Sequence, residues 1–460
     1  MQTWYYHNTD GDQQHHHDAD SEKHNFFGEF HLHHPVLQYS NAAEDSLNNR
    51  HRAMRPSTLV GDIRLIGYVD CYDSCVHHAT TSGSERAPRI AALTIFLAYL
   101  IYLTERTIVV AKGNISSLAL IGTTFADRKQ LPSYLYQHQG SGYDGQFFLR
   151  LALDPFDLRM HAFGITMNGA FRDQRIVYPF LAWALALGHD HWVPFTLVIV
   201  NLLAVTFIAY IGTKLARNTA HPAMVGLLLG GYFGYTMSTG RDLTEPTAAA
   251  FLLLAMYLFE HDHPAFAGLS FALAGLAIET ELIAPIAIGL IWLIVLLRKR
   301  RSASNPLVFL IPGLVALAFQ GFLRILLGKI ALSGDIRGNI GIPIYSVIVG
   351  IIDHTHKINL TNLIWFGQLA IIGLFVVLAA MNLKSPDVPG YLKVTWTMML
   401  ILTLSLSGEI WNHSSYFRAT DILWLTSVLI WSRSRPTQWW PAYLGYIATF
   451  VSVAPLLLFF

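Results

Sequence analysis

The sequence predicts an all-α, polytopic membrane protein, and three observations carry that prediction. Hydrophobic residues make up 53% of the 460 and charged residues only 13%, against about 25% charged in an ordinary soluble domain. Apolar runs recur from residue 90 to the end, many of them near the roughly 20 residues a helix needs to cross a hydrocarbon core. Lys and Arg gather in alternate short loops, as they do on the cytoplasmic side of a bilayer. A formal net charge of +1 argues against a nucleic-acid partner, which requires a concentrated basic face to displace counterions from phosphates.

Residues 1–88 differ from the rest. They hold HHHDAD, HLHHP and scattered charges, with no run long enough to cross a bilayer, and are expected to form a His-rich, disordered extension. A basic start and an apolar core at the extreme N-terminus, the marks of a signal peptide, are missing there. CYDSCVHH brings Cys71, Cys75, His77 and His78 together. Those ligand types suit zinc, but the spacing is not that of a finger and no second Cys pair follows. Two cysteines make no disulfide framework and leave the redox compartment open.

Residues 89–460 are expected to form the transmembrane domain. Its first span lies near 90–108 behind Arg86 and Arg89, which places the N-terminus in the cytoplasm. A large outer loop, 112–191, follows. Within it RIVYPFLAWALAL, Arg175 to Leu187, is apolar over only about a dozen residues, too short to cross unaided, and reads as an interfacial or re-entrant helix. QFFLRLAL after Gly145 reads as a second helix lying along the interface, closed by Asp154 and Pro155. Later spans fall near 192–213, 221–239, 245–259, 264–278, 281–297, 306–327, 361–381, 391–408, 421–432 and 440–459, about eleven crossings in all. That count puts Lys214, Arg217, the RKRR run at 298–301, Lys384, Arg433 and Arg435 on the same side as the N-terminus, as the positive-inside bias requires. The expected location is the plasma (inner) membrane, multi-pass.

The same parity gathers YDGQ, RDQR, RDLTEP, IETEL, GDIRGN and GEIWNHSSYFRATD on the outer side, at the mouths of spans. Polar residues in loops also do no more than solvate a surface, but several of these lie beside unusually short apolar segments that cannot hold them far out in water. Gly226, Gly230 and Gly234, four apart, read as a helix-packing stripe and not as chemistry. No P-loop, GxSxG, HExxH or post-strand GxGxxG motif occurs, so nucleotide hydrolysis, serine hydrolysis and zincin chemistry have no support.

The candidate catalytic residue is Asp144, framed by Tyr143 and Gly145 on a turn. A carboxylate fixed at the water–lipid boundary can take a proton from an alcohol held within about 3 Å. Tyr143 and Gln146 flank it as substrate-binding candidates. Arg172 and Arg175 suit phosphate oxygens, which guanidinium groups bind bidentately. Arg241, Asp242 and Glu245 share one helix end, with Thr244 as cap and Pro246 in the first turn. Glu279 stands at the turn between two spans, and His413 and Arg418 in the last large outer loop are placed to meet a leaving phosphate. No metal site is assigned and no cofactor is required; the Asp242 and Glu245 carboxylates permit a divalent metal without demanding one.

YDGQFFLRLALDPF, QRIVYP, RDLTEP and the ET pair at 279–280 resemble a widespread bacterial family of uncharacterised polytopic membrane proteins over about residues 90–300. More distantly, they resemble the GT-C glycosyltransferases, whose GPI mannosyltransferases carry a comparable aromatic-Asp motif in the first outer loop. The resemblance implies a GT-C-like fold with interfacial helices in that loop, a polyprenyl-phosphate-sugar donor, and an acid in the loop acting as base, here Asp144. Where related sequences tend to have Arg before the ET pair this chain has Ile278, so no phosphate contact carries over to that position.

The expected function is transfer of a sugar from a polyprenyl-phosphate donor to a hydroxyl of a glycan, lipid or protein acceptor on the outer face. Membrane lipids are the surroundings, and no nucleic acid takes part. Two other classes stay open: a transporter or lipid flippase with the charged groups along its path, and a non-catalytic membrane assembly subunit.

Overall fold

The computed structural model describes residues 85–459 apart from 217–218, 299–303, 329, 333–337, 357–358 and 413–414. Residues 1–84 of the extension expected over 1–88, with its CYDSCVHH segment, the cations Arg217, Lys299, Arg300 and Arg301, the acid and arginine of GDIRGN, and His413 lie outside the described residues. The described residues all fall in one compact unit.

The fold is all-α, with only four two-residue strands among the described residues. Helix α1 (Arg86–Glu105) opens it, starting three residues before the boundary expected from sequence. The loop that follows carries β1 (Ile121–Gly122) paired in parallel with β2 (Gln137–His138), α2 (Gly145–Leu153), the antiparallel pair β3 (His161–Ala162) and β4 (Ile165–Thr166), and α3 (Val177–Leu185). Then come α4 (Val193–Leu215), α5 (Pro222–Gly230), α6 (Phe233–Thr239), α7 (Glu245–Glu260), α8 (Pro264–Ala277), α9 (Ile283–Leu297) and α10 (Leu307–Leu327). Helices α11 (Tyr345–Thr355), α12 (Leu360–Asn382), α13 (Gly390–Leu404), the one-turn α14 (Gly408–Trp411) and α15 (Tyr416–Ala419), α16 (Asp421–Arg433) and α17 (Trp440–Phe459) complete it. Among the described residues five helical stretches are long and apolar enough to cross a membrane: Arg86–Val110, Asp190–Leu215, Glu279–Leu297, Leu307–Leu327 and Leu360–Asn382. A helix pairs its own backbone polar groups internally, which is what allows an apolar one of that length to pass through lipid.

The 221–239 stretch is two helices and not one. The chain breaks at Gly231 and Tyr232, where two adjacent glycines weaken the helix. Tyr232 is pulled aside: its hydroxyl lies 2.5 Å from the Phe417 carbonyl and 2.7 Å from Thr420 Oγ1, and its ring stacks on Trp424. The glycine stripe does pack, in two parts. Side chains at Gly226 and Gly230 would strike Ala209, Thr213 and Val205 of α4, whereas Gly234, past the break, faces the Phe417 carbonyl. Helix α11 falls where the sequence shows no span.

The two outer-loop helices part company. Helix α2 does not rest on lipid: each of its nine residues is buried inside the protein, in a core with Ile121, Leu135, Ile165, Tyr178 and Leu197. Its alternation of apolar and polar residues misled because its one cation, Arg150, is itself wholly buried and spends its Nη atoms on the Asp157 and Arg159 carbonyls. Helix α3 has nine residues, about 13 Å of rise, too little to cross a bilayer. It buries Val177, Tyr178 and Ala182 and turns Phe180 and Leu185 outward, Phe180 against the Phe156 ring. Helix α16 is the reverse case, a core element with residues Asp421 to Ser432 all buried.

Candidate functional site

Two glycines seat the Asp144 turn. Gly142 adopts φ +68°, the left-handed region that favours glycine, and a side chain there would strike the Leu120 carbonyl. Gly145, the residue expected to make the turn, lies outside that region; a Cβ on it would run into the Arg241 carbonyl. Gly145 thus lets the first turn of α2 lie against the backbone of the RDLTEP segment. Gln146 completes the seat: its Oε1 accepts from the Gly122 amide at 3.0 Å and its Nε2 donates to the Ser141 carbonyl at 3.0 Å. With 1% of its surface exposed, its amide serves the loop rather than a ligand.

Asp144 is the N-cap of α2 but makes no capping bond, so its carboxylate faces elsewhere. Arg172 grips Oδ1 from Nη2 at 2.6 Å and from Nε at 3.2 Å. The same guanidinium lies 4.2 Å from the Phe147 ring and 4.4 Å from Phe171. Arg418 approaches the other carboxylate oxygen, Oδ2, at 3.7 Å, while its Nη1 sits 2.6 Å from Glu245 Oε1. Arg418 and Glu245 are 12% and 6% exposed and Asp144 is 28% exposed, so of the three the Asp144 carboxylate is the one a ligand reaches. Burial alone would raise the Asp144 carboxyl; the Arg172 and Arg418 guanidiniums, with Arg175 farther off, outweigh it and hold it below the ordinary carboxylate value.

A cavity of about 200 Å³ opens over this carboxylate, lined by Phe125, Ser141, Gly142, Tyr143, Gln146, Phe147, Asn168, Arg172, Ser415 and Arg418. Arg241 lies 4.5 Å from the Tyr143 ring and Arg418 5.2 Å from it, so Tyr143 carries two guanidiniums. Among the described residues Arg241 has no carboxylate partner. The RDL turn behind it is fastened by Asn201 of α4, which donates to the Leu243 carbonyl and to Tyr178 Oη, both at 2.9 Å.

Other expected site residues sit at one remove. Arg175 pairs with Glu279 through Nη2 at 2.5 Å and Nε at 3.1 Å, and Gln174 adds a third bond to the same carboxylate. Arg172 and Arg175 share the face of Phe171, which links this pair to the cavity. Asp242 does not line the cavity. It is completely buried at φ +51°, and neither carboxylate oxygen has a hydrogen-bond partner; burial pushes its carboxyl well above the usual range. Glu245 stands behind Arg418 instead of facing a ligand. Thr244 makes no side-chain cap and donates to the Ala277 carbonyl, while Pro246 does occupy the first turn of α7. Asp242 and Glu245 belong to no group of three or more acids, histidines or cysteines able to hold a metal ion among the described residues.

Sequence reasoning passed over Phe125 and Asn168, which carry no motif, and gave no role to Ser415 within GEIWNHSSYFRATD; the three line one cavity only in three dimensions. It also passed over Asp173, the middle of RDQR. Compared with family models, with curated proteins and with solved structures, the chain finds no match.

Proposed function

We propose that this protein is a membrane glycosyltransferase of GT-C-like architecture, with about eleven crossings, which transfers a sugar from a polyprenyl phosphate to an acceptor hydroxyl on the outer face. One observation carries the reading: a cavity-facing carboxylate, Asp144, is held ionised by Arg172 and Arg418, and Tyr143 of the cavity wall carries on its ring a further guanidinium, Arg241, that has no carboxylate partner among the described residues. A base and a seat for an anionic leaving group within one small cavity are what transfer from a phosphate requires.

In the proposed reaction the acceptor oxygen attacks the anomeric carbon. The bond from that carbon to the phosphate oxygen breaks, its electron pair leaves with the polyprenyl phosphate, and the hydroxyl proton passes to Asp144. A carboxylate gripped by two guanidiniums is a weak base, since basicity falls with pKa. Arrival of the donor phosphate at Arg241 and Arg418 draws positive charge off Asp144 and raises its basicity. An apolar cleft supports a seat for the lipid tail. Ile176, Val177, Phe180 and Leu181 of α3, Phe251 of α7, and Leu273 and Leu276 of α8 line an apolar cleft of about 280 Å³, directly after Arg175 in the chain and before Glu279. Purified protein given a radiolabelled polyprenyl-phosphate sugar and a panel of acceptors tests the reading; label that never leaves the donor with any acceptor defeats it.

One observation favours a transporter instead. Both carboxylate oxygens of Glu281 and one of Asp421 are buried without hydrogen-bond partners, and unpaired ionisable groups inside a membrane protein often mark an ion path. Flux of protons or labelled lipid across proteoliposomes, with no transfer activity, would favour that reading.

A further inference from the structure

Helix α11 is amphipathic the wrong way round for a helix bathed in water. Its inward stripe is small and polar: Ser346 and Gly350 are buried, and a Cβ on Gly350 would lie 3.3 Å from the Trp411 Cβ. One turn on, the His354 ring stacks on Trp365 at 4.3 Å. The opposite stripe is apolar and points away from the protein, with Tyr345 60% exposed and Ile348 and Ile352 50% each. Those three stand at i, i+3 and i+7 and so share one face. The chain leading into the helix adds Ile340, Ile342 and Ile344, all exposed. Backbone bonds pin that lead-in to the end of α13: the Gly341 amide donates to the Ser405 carbonyl at 2.7 Å, and the Ser407 amide to the Asn339 carbonyl at 2.8 Å. Ile344 then turns the chain into α11 at φ +67°, with the Tyr345 amide donating to the Pro343 carbonyl at 2.8 Å. A β-branched residue in such a three-residue turn is strained, and strain of that kind persists only where the surroundings hold it.

We propose that α11 is a lipid-seated clamp: its apolar stripe rests among the acyl chains of the bilayer, and its inward stripe holds the segment that carries Ser415 and Arg418. Lipid is the occupant because the stripe holds no charge and continues into α12, a helix long and apolar enough to cross a membrane, whose first turn exposes Leu360 and Leu363. Polarity is confined to the far end of α11, where Asp353, Thr355 and His356 are exposed. Eleven residues rise about 16 Å, too little to cross, so the helix stays within one leaflet with its apolar face in the hydrocarbon. The hold on the Arg418 segment is a run of direct contacts. Asn412 Nδ2 donates to Asp353 Oδ2 at 3.1 Å, and Trp365 Nε1 donates to the Trp411 carbonyl at 3.1 Å. Trp411 stacks on Tyr416 at 5.2 Å, and the Tyr416 hydroxyl donates to the Trp365 carbonyl at 2.6 Å. Arg418 follows two residues later in the same short helix, α15. The clamp serves a transferase and a transporter alike, so it stands or falls apart from the proposed reaction.

The test uses the full-length protein, with Cys71 and Cys75 replaced, in phosphatidylcholine nanodiscs. Nitroxides are attached singly at Ile348→Cys, Ile352→Cys and Asn168→Cys. At 348 and 352 collisions with oxygen should outnumber those with a charged nickel chelate, and at exposed Asn168, on the cavity rim, the order should reverse. A chelate that reaches Ile348 as readily as Asn168 overturns the proposal, because the stripe then faces water. Labels at 348 and 352 shielded from both reagents in a protein that runs as a dimer overturn it too, because the occupant is then a second copy. The clamp itself is read by hydrogen exchange. Ile348→Asp puts a charge among the acyl chains and should speed exchange at the Asn412, Ala419 and Thr420 amides by about tenfold, while the α4 amides keep their rates and Ile348→Leu changes neither. Gly350→Val, which forces α11 off Trp411 from the inner side, supplies the same readout if Ile348→Asp does not fold. Exchange over 412–420 that neither variant moves overturns the hold on Arg418.

Discussion

Arg418 and Glu245 stand 173 residues apart in the chain and meet at 2.6 Å. The contact ties the segment before α16 to the first turn of α7, and through Arg418 Nη2 it reaches on to Asp144. Three distant loops are thereby held around one carboxylate, so the consequences of breaking the tie are open to measurement.

Arg418→Ala leaves Glu245 buried without its cation. Removing one partner of a buried pair typically costs about 3–5 kcal/mol, so thermal unfolding in detergent should shift strongly downward. Adding Glu245→Gln to the same protein should recover much of the loss, because the remaining group is then neutral. A double variant no better than Arg418→Ala would show that the ion pair is not what Arg418 contributes.

Asp144→Asn should lower transfer by about 10² to 10⁴ while the protein stays folded. Stability supplies a check that needs no substrate. A carboxyl held below its unfolded value contributes stability that is present above that value, about 3.9, and is lost as pH falls through the folded one. The gap in unfolding midpoint between native protein and Asp144→Asn should be open near neutrality and close in strong acid. A gap that widens with acid would reverse the assigned direction.

Arg241→Gln should weaken binding of a polyprenyl phosphate to the protein in nanodiscs. A hydrogen bond to a charged group contributes about 1.5–3 kcal/mol, or roughly tenfold to a hundredfold in affinity. Replacing the structural amide in Gln146→Ala should instead depress stability, since both its ends hold backbone. Unchanged binding in Arg241→Gln would remove Arg241 from the phosphate seat.

Topology is checked by labelling. With Cys71 and Cys75 replaced, a membrane-impermeant thiol reagent on intact cells should mark a cysteine at exposed Asn168 and spare one at Asp387. Gly142, the obvious label position in the motif, is unsuitable because its backbone is left-handed and crowded. Labelling of Asp387→Cys alone would place the Asp144 cavity on the other face.

Helical class and element boundaries were legible because they depend on local runs: α4, α7, α10 and α12 begin and end within about two residues of their apolar stretches. Asp144 stood out for a similar reason, as an acid in an otherwise apolar stretch between glycines. The interior break at Tyr232 was not legible, since it is made by Phe417, Thr420 and Trp424 from far along the chain. Nor was the burial of α2, whose single Arg150 looks exposed in sequence and is satisfied only by carbonyls folded back over it.

The sequence by itself determined that this chain is an apolar, mostly helical protein with many of its acids and arginines gathered near the ends of its apolar runs, because hydropathy and charge act residue by residue. Only the tertiary structure decided which arginine serves which acid: Arg172 and Arg418 to Asp144, Arg175 to Glu279, and Arg241 left over on Tyr143. Pairing depends on distances of a few ångströms between segments up to 274 positions apart (144 to 418), and Coulomb attraction in a low-dielectric interior is decided at that range.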